Sequence, residues 1–103
     1  MVLDFAYSQK IQSITIFFMK SYGNRWKNSE LQVKVFFVPS TNIREQILLE
    51  ERNILGTHSK ETSEMYTEEI ILANPVDAGG ILKLEASLVG GQTFKIMGVA
   101  VCS

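Results

Sequence analysis

A chain of 103 residues, 46% hydrophobic and 20% charged, is long enough to bury one core without metal or disulfide staples, and its composition excludes extensive disorder. Ten basic against eleven acidic residues give a formal charge of -1, which excludes the basic excess of a nucleic-acid binder. The single cysteine, Cys102, excludes an internal disulfide; no apolar run approaches the roughly 20 residues that span a bilayer, and no basic segment precedes an apolar one near Met1, so neither a transmembrane segment nor a signal peptide is expected.

Val2 to Tyr7 alternates weakly, with Leu3, Phe5 and Tyr7 on one side, and reads as a short first strand. Ile11 to Lys20 is stronger: Ile14, Ile16 and Phe18 alternate with Thr15, Phe17 and Met19, and β-branched and aromatic side chains suit a pleated strand. Ser21 to Ser29 is a polar connection rich in turn formers. Leu31 to Val38 follows as a strand with Leu31, Val33, Val35 and Phe37 on one face, closed by Pro39, which cannot donate to a ladder.

Thr41 to Leu55 divides propensity from periodicity. Asn42 with Glu45 resembles a helix cap and the composition favours helix, yet Glu50 and Glu51 flank the Ile43, Ile47, Ile54 stripe and blur any amphipathic face. Strands bent or bulged near Glu50 are the reading adopted. Gly56 to Ser63 is a polar loop, and Glu64 to Ala73 carries Met65, Tyr66, Ile70, Ile71 and Leu72 as another strand. Asn74 to Gly80, punctuated by Asn-Pro and Gly-Gly, is expected to turn.

The last segment reads as a hairpin. Ile81 to Val89 and Gln92 to Val101 share one apolar face only if the loop holds an odd number of residues, which aligns Leu82, Leu84, Ala86 and Leu88 with Phe94, Ile96, Gly98 and Ala100. The expectation is a three-residue connection with a glycine in the left-handed region, its Gly90-Gly91 tip in water and the Cys102 end covered. The pattern as a whole predicts one all-β domain, an antiparallel sandwich or small barrel of about seven strands ending in that hairpin. The alternative is an α+β fold with one helix over residues 42–53 packed on an antiparallel sheet.

Residue supply argues against catalysis, and no enzymatic activity, cofactor or metal is expected. Histidine and cysteine occur once each, at His58 and Cys102, too few for a structural zinc site, and no nucleophile elbow or phosphate loop occurs. His58 reads as an exposed loop residue. The seven glutamates Glu45, Glu50, Glu51, Glu61, Glu64, Glu68 and Glu69 read as solvated faces, since the only aspartates, Asp4 and Asp77, are too few for a hard-cation loop. A lone thiol fits a reducing cytoplasm most simply.

Two features point to binding. Phe17, Met19, Phe36 and Val38 would form a second apolar sheet face, which a second copy of the chain would cover, making a self-associating homo-oligomer. Tyr22, Arg25 and Trp26 share one connection and would suit a protein or glycan ligand, as in a lectin-like module; the competing reading folds Trp26 back over the core.

Overall fold

In β2 (Ile11–Lys20), Ile14, Ile16 and Phe18 turn inward and are at most 2% exposed, because a pleated strand sends alternate side chains to opposite faces. The computed structural model describes residues 1–6, 10–39, 44–76 and 79–102, the side chains of Phe5 and Ala6 excepted. Around β2 stand β1 (Val2–Ala6), β3 (Glu30–Val38), β4 (Ile47–Leu55), β5 (Glu64–Val76), β6 (Ile81–Gly90) and β7 (Lys95–Cys102). They form two packed sheets, one ordered β1-β6-β3-β4 and the other β5-β2-β7, with every pairing antiparallel.

This is the expected all-β sandwich, with two open sheets instead of a closed barrel. No helix occurs among the described residues, so the α+β alternative is discarded. The pairings β1 with β6, β2 with β5 and β3 with β4 nest about the β3–β4 connection. The first six strands therefore behave as one long hairpin rolled into two layers, with β7 added beside β2.

One continuous core lies between the layers. β2 contributes Ile11, Ile14, Ile16 and Phe18; β3 adds Leu31, Val33 and Val35, β6 adds Leu82, Leu84 and Ala86, and β5 adds Ile70, Leu72 and Val76. Burying each large side chain in this set stabilises the fold by about 1.5–3 kcal/mol relative to exposure.

The terminal hairpin does not form. β6 pairs with β3 and β1, whereas β7 pairs with β2, so residues 91–94 carry the chain from one sheet to the other. An inward apolar pattern is required equally of strands that pair and of strands that face each other across a core, so alternation did not distinguish the two. A bulge adds a second departure: Phe17 opposes Gly98 but Phe18 opposes Ile96, leaving Met97 extra. Beyond it Val99 and Val101 oppose the buried Ile16 and Ile14, while Gly98 and Ala100 turn outward with Phe17 and Thr15. Leu88 is exposed instead of joining Leu82, Leu84 and Ala86 in the core. The left-handed glycine does occur, at Gly91 with φ 71°, but it sits against the backbone of Lys27 and Ser29, and Cys102 at the opposite end of β7 is exposed.

Two further segments resolve. Asn74 and Pro75 lie inside β5, where a proline is tolerated because β5 is an edge strand; the ladder slips there, from Ser13 opposite Ile71 to Ile11 opposite Val76. The disputed segment is strand from Ile47, and its expected irregularity falls beside Glu50: Val35 opposes Glu50 and Phe36 opposes Leu48, leaving Leu49 extra. The expectations for Tyr7 and for Thr41 to Ile43 lie outside the described residues.

Candidate interaction surface

Strand register decides which side chains share each outer surface. On the three-stranded sheet the outward residues of β2 are Ser13, Thr15, Phe17 and Met19. Met19 stands between Met65 and Lys95, Phe17 between Thr67 and Gly98, Thr15 between Glu69 and Ala100, and Ser13 between Ile71 and Cys102. A Cβ on Gly98 would lie 4.0 Å from the Phe17 ring, so this ring covers the gap where the glycine has no side chain. Met65 is 64% exposed and Ile71 62% exposed. Across these four rows the only ionisable side chains besides the Cys102 thiol are Glu69 and Lys95.

The outer surface of the four-stranded sheet is built differently. Gln32 Nε2 donates to Glu51 Oε1 at 2.7 Å and Asn53 Nδ2 to Glu30 Oε2 at 2.9 Å, each across the β3–β4 ladder. Lys34 stands between Glu51 and Glu85, and Lys83 Nζ donates to Gln46 Oε1 at 3.1 Å. Opposite charges and amide–carboxylate pairs side by side make a water-facing surface that satisfies itself. Its apolar members are Phe36 opposite Leu48 and Val38 opposite Ile81 at one end, and single exposed residues set among the charges, Val2 opposite Glu85 and Leu55 opposite Glu30.

The four residues assigned to one self-association face therefore separate. Phe17 and Met19 lie on the outside of one sheet, and Phe36 and Val38 on the outside of the other. Their grouping assumed that β2 pairs with β3; these strands instead face each other across the core.

Tyr22, Arg25 and Trp26 lie in the β2–β3 connection, shaped by Gly23 at φ 87° and Asn28 at φ 58°. The Trp26 amide donates to the Gly23 carbonyl and the Ser29 amide to the Trp26 carbonyl, both at 3.1 Å. Tyr22 and Arg25 are exposed and Trp26 half-buried. Among the described residues no hydrogen bond, ion pair or ring contact links the three side chains.

The same end of the sandwich holds a polar network that sequence reasoning missed. His58 is half-buried, not a free loop residue, and its Nε2 lies against the Thr62 carbonyl. A carbonyl only accepts, so Nε2 carries the proton. Nδ1 is 3.3 Å from the Tyr66 hydroxyl, which donates to Glu64 Oε2 at 3.2 Å, while Thr62 Oγ1 donates to Glu64 Oε1 at 3.1 Å. The Thr62 and Tyr66 hydrogen bonds are the chief causes that hold the Glu64 carboxyl below its ordinary value; desolvation opposes them, and the charges of Lys60 and His58 add smaller lowering contributions. Lys20 Nζ lies 4.8 Å from the Tyr66 ring centroid, and Phe18 stacks between Tyr66 and Phe94 at 6.2 and 5.5 Å. No spacing in the sequence signalled this cluster, because pairing of β2 with β5 brings Lys20 and Phe18 to Tyr66. The chemistry available is that of a clasp over the sheet end: among the described residues no three His, Cys, Asp or Glu side chains gather around a point that would hold a metal ion.

No family model, curated protein or solved structure matches the chain.

Proposed function

We propose that this chain is a non-enzymatic interaction module that self-associates through the outer face of its three-stranded sheet. The observation that carries the reading is the contrast between the two outer surfaces. One is tiled with cross-strand polar pairs from Glu30 to Lys34 and from Glu51 to Asn53. The other has Phe17 and Met19 along its middle strand, with Met65 well exposed beside Met19. Apolar side chains grouped on one face of an otherwise water-adapted domain favour burial against another surface. Self-complementary burial by a second copy needs only one such face. Phe36 and Val38 have no part in this face.

Sedimentation velocity over a wide concentration range tests the proposal. The natural chain should populate a dimer, and Met65→Lys, at a site exposed enough not to disturb the core, should weaken it by about tenfold or more, roughly 1.4 kcal/mol. A natural chain that stays monomeric at every concentration would reject the reading.

A further inference from the structure

The sandwich sets four strands against three. The Ala73 amide of β5 donates to Glu50 Oε1 of β4 at 3.3 Å, so these two edges lie together and close one side of the molecule. Counting inward from there, β3 faces β2 and β6 faces β7, which leaves β1 with no strand opposite it. The vacant place lies beside β7, where one more strand would complete the smaller layer.

Side-chain exposure records the vacancy. Ile70, Ile14 and Val101 form one core-facing row across β5, β2 and β7. Ile70 and Ile14 have no exposed surface, whereas Val101 is 40% exposed. Val99, beside the buried Ile16, is only half-buried, and so is Leu3, opposite the buried Leu84 on the core-facing side of β1. The β4–β5 side is closed by contrast: Ile54, Ile70 and Leu72 are buried there, and Glu50, Arg52 and Glu68 stand opposite the buried Val35, Val33 and Ile16, which puts charge on the core-facing side of both edges.

What bounds the vacant place dictates what fits it. β7 pairs on one side only, with β2, so its other edge offers a row of N–H and C=O groups that an extended backbone matches along its length. Val99, Val101 and Leu3 call for apolar side chains at every second position of that backbone. The run Gly98-Val99-Ala100-Val101-Cys102 contains neither proline nor acidic or basic side chain, so nothing on it repels an incoming strand. This chain's own edges fit poorly. β4 and β5 would bring Glu50, Arg52 or Glu68 against the valines, and a second β7 is kept away because the β1 of each copy reaches one strand further than its β7. β1, antiparallel to β6, runs the same way as β7 and spans five residues against eight, so it would make only a short parallel ladder.

We infer that β7 takes up an extended apolar segment of another polypeptide, which adds a fourth strand to the sheet β5-β2-β7 beneath β1. Val99, Val101 and Leu3 face the core, away from Phe17 and Met19, so this site is separate from the self-association face and does not depend on it.

A fluorescent peptide of alternating threonine and valine, flanked by lysines for solubility, tests this against the full chain. Fluorescence polarisation should show saturable binding, and amide hydrogen exchange from Gly98 to Cys102 should slow when the peptide is present. Val101→Glu, which charges this edge as Glu68 charges β5, should weaken binding at least about tenfold. The same peptide N-methylated at every residue should fail to bind, a result that needs no change to the protein. Met65→Lys, altered only on the outer face, should bind the peptide as the natural chain does. Absence of saturable binding, or equal binding of the N-methylated peptide, would overturn the inference. Loss of binding in Met65→Lys would place the peptide on the outer face and overturn it too. Exchange from Gly98 to Cys102 that slows with rising protein concentration and no peptide would put a second copy in the vacant place, against the inference.

Discussion

The hydroxyl of Ser29 donates to the Thr93 carbonyl from a position with no solvent exposure, and the Ser29 carbonyl accepts the Gly56 amide at 2.9 Å. One residue thus ties together the connections β2–β3, β4–β5 and β6–β7, each of which crosses between the sheets. Ser29→Ala keeps the volume nearly unchanged but leaves the Thr93 carbonyl without its donor. A buried polar group deprived of a partner costs about 1–3 kcal/mol. The expected result in urea unfolding is a loss of that size with an unchanged slope, and about 4–8 °C in Tm per kcal/mol. A neutral substitution would mean that water replaces the hydroxyl.

Gly91 presses on the same junction. Its φ of 71° lies in the left-handed region, and a Cβ there would come within 2.7 Å of the Lys27 carbonyl oxygen and 2.8 Å of the Ser29 nitrogen. Gly23 shares the positive φ, at 87°, but a Cβ on it would meet nothing within 4 Å. Gly23→Ala should therefore cost only the backbone preference, about 1–2 kcal/mol. Gly91→Ala adds a collision with main chain that cannot rotate away, so it should be the more damaging by at least about 1 kcal/mol. Equal losses in parallel thermal melts would show that the 91–94 crossing can shift off the Lys27–Ser29 backbone.

Strand identity was legible because alternation is a local property. Ile14, Ile16 and Phe18, and likewise Leu31, Val33 and Val35, are apolar at every second position and buried for that reason. Which strands pair was not legible, because Leu82 and Leu84 need the same pattern whether β7 lies beside them or across the core. The bulge at Met97 then exchanged the faces of Gly98 and Ala100 with those of Val99 and Val101. Asn74 and Pro75 have turn chemistry but sit on an edge, where a strand can carry them. The candidate surface was half legible. Alternation alone places Phe17 and Met19 on the outer face of β2, but Phe36 and Val38 join them only if β2 pairs with β3. The His58, Tyr66 and Glu64 network depends on the path of the 57–63 loop, which no local pattern encodes.

Glu64 makes acid stability partly a property of this loop. Its folded carboxyl titrates below the ordinary Glu value, chiefly because Thr62 and Tyr66 donate to the charged form. A depressed folded pKa stabilises the fold above the unfolded pKa, and that contribution is lost as pH falls through the folded value. Glu64→Gln retains an acceptor and removes the charge. The natural chain should therefore exceed the variant in stability at neutral pH, and the difference should close as the pH drops below the ordinary carboxylate range. Denaturant titrations at a series of pH values check this; a difference independent of pH would assign the effect to hydrogen-bond geometry and not to charge.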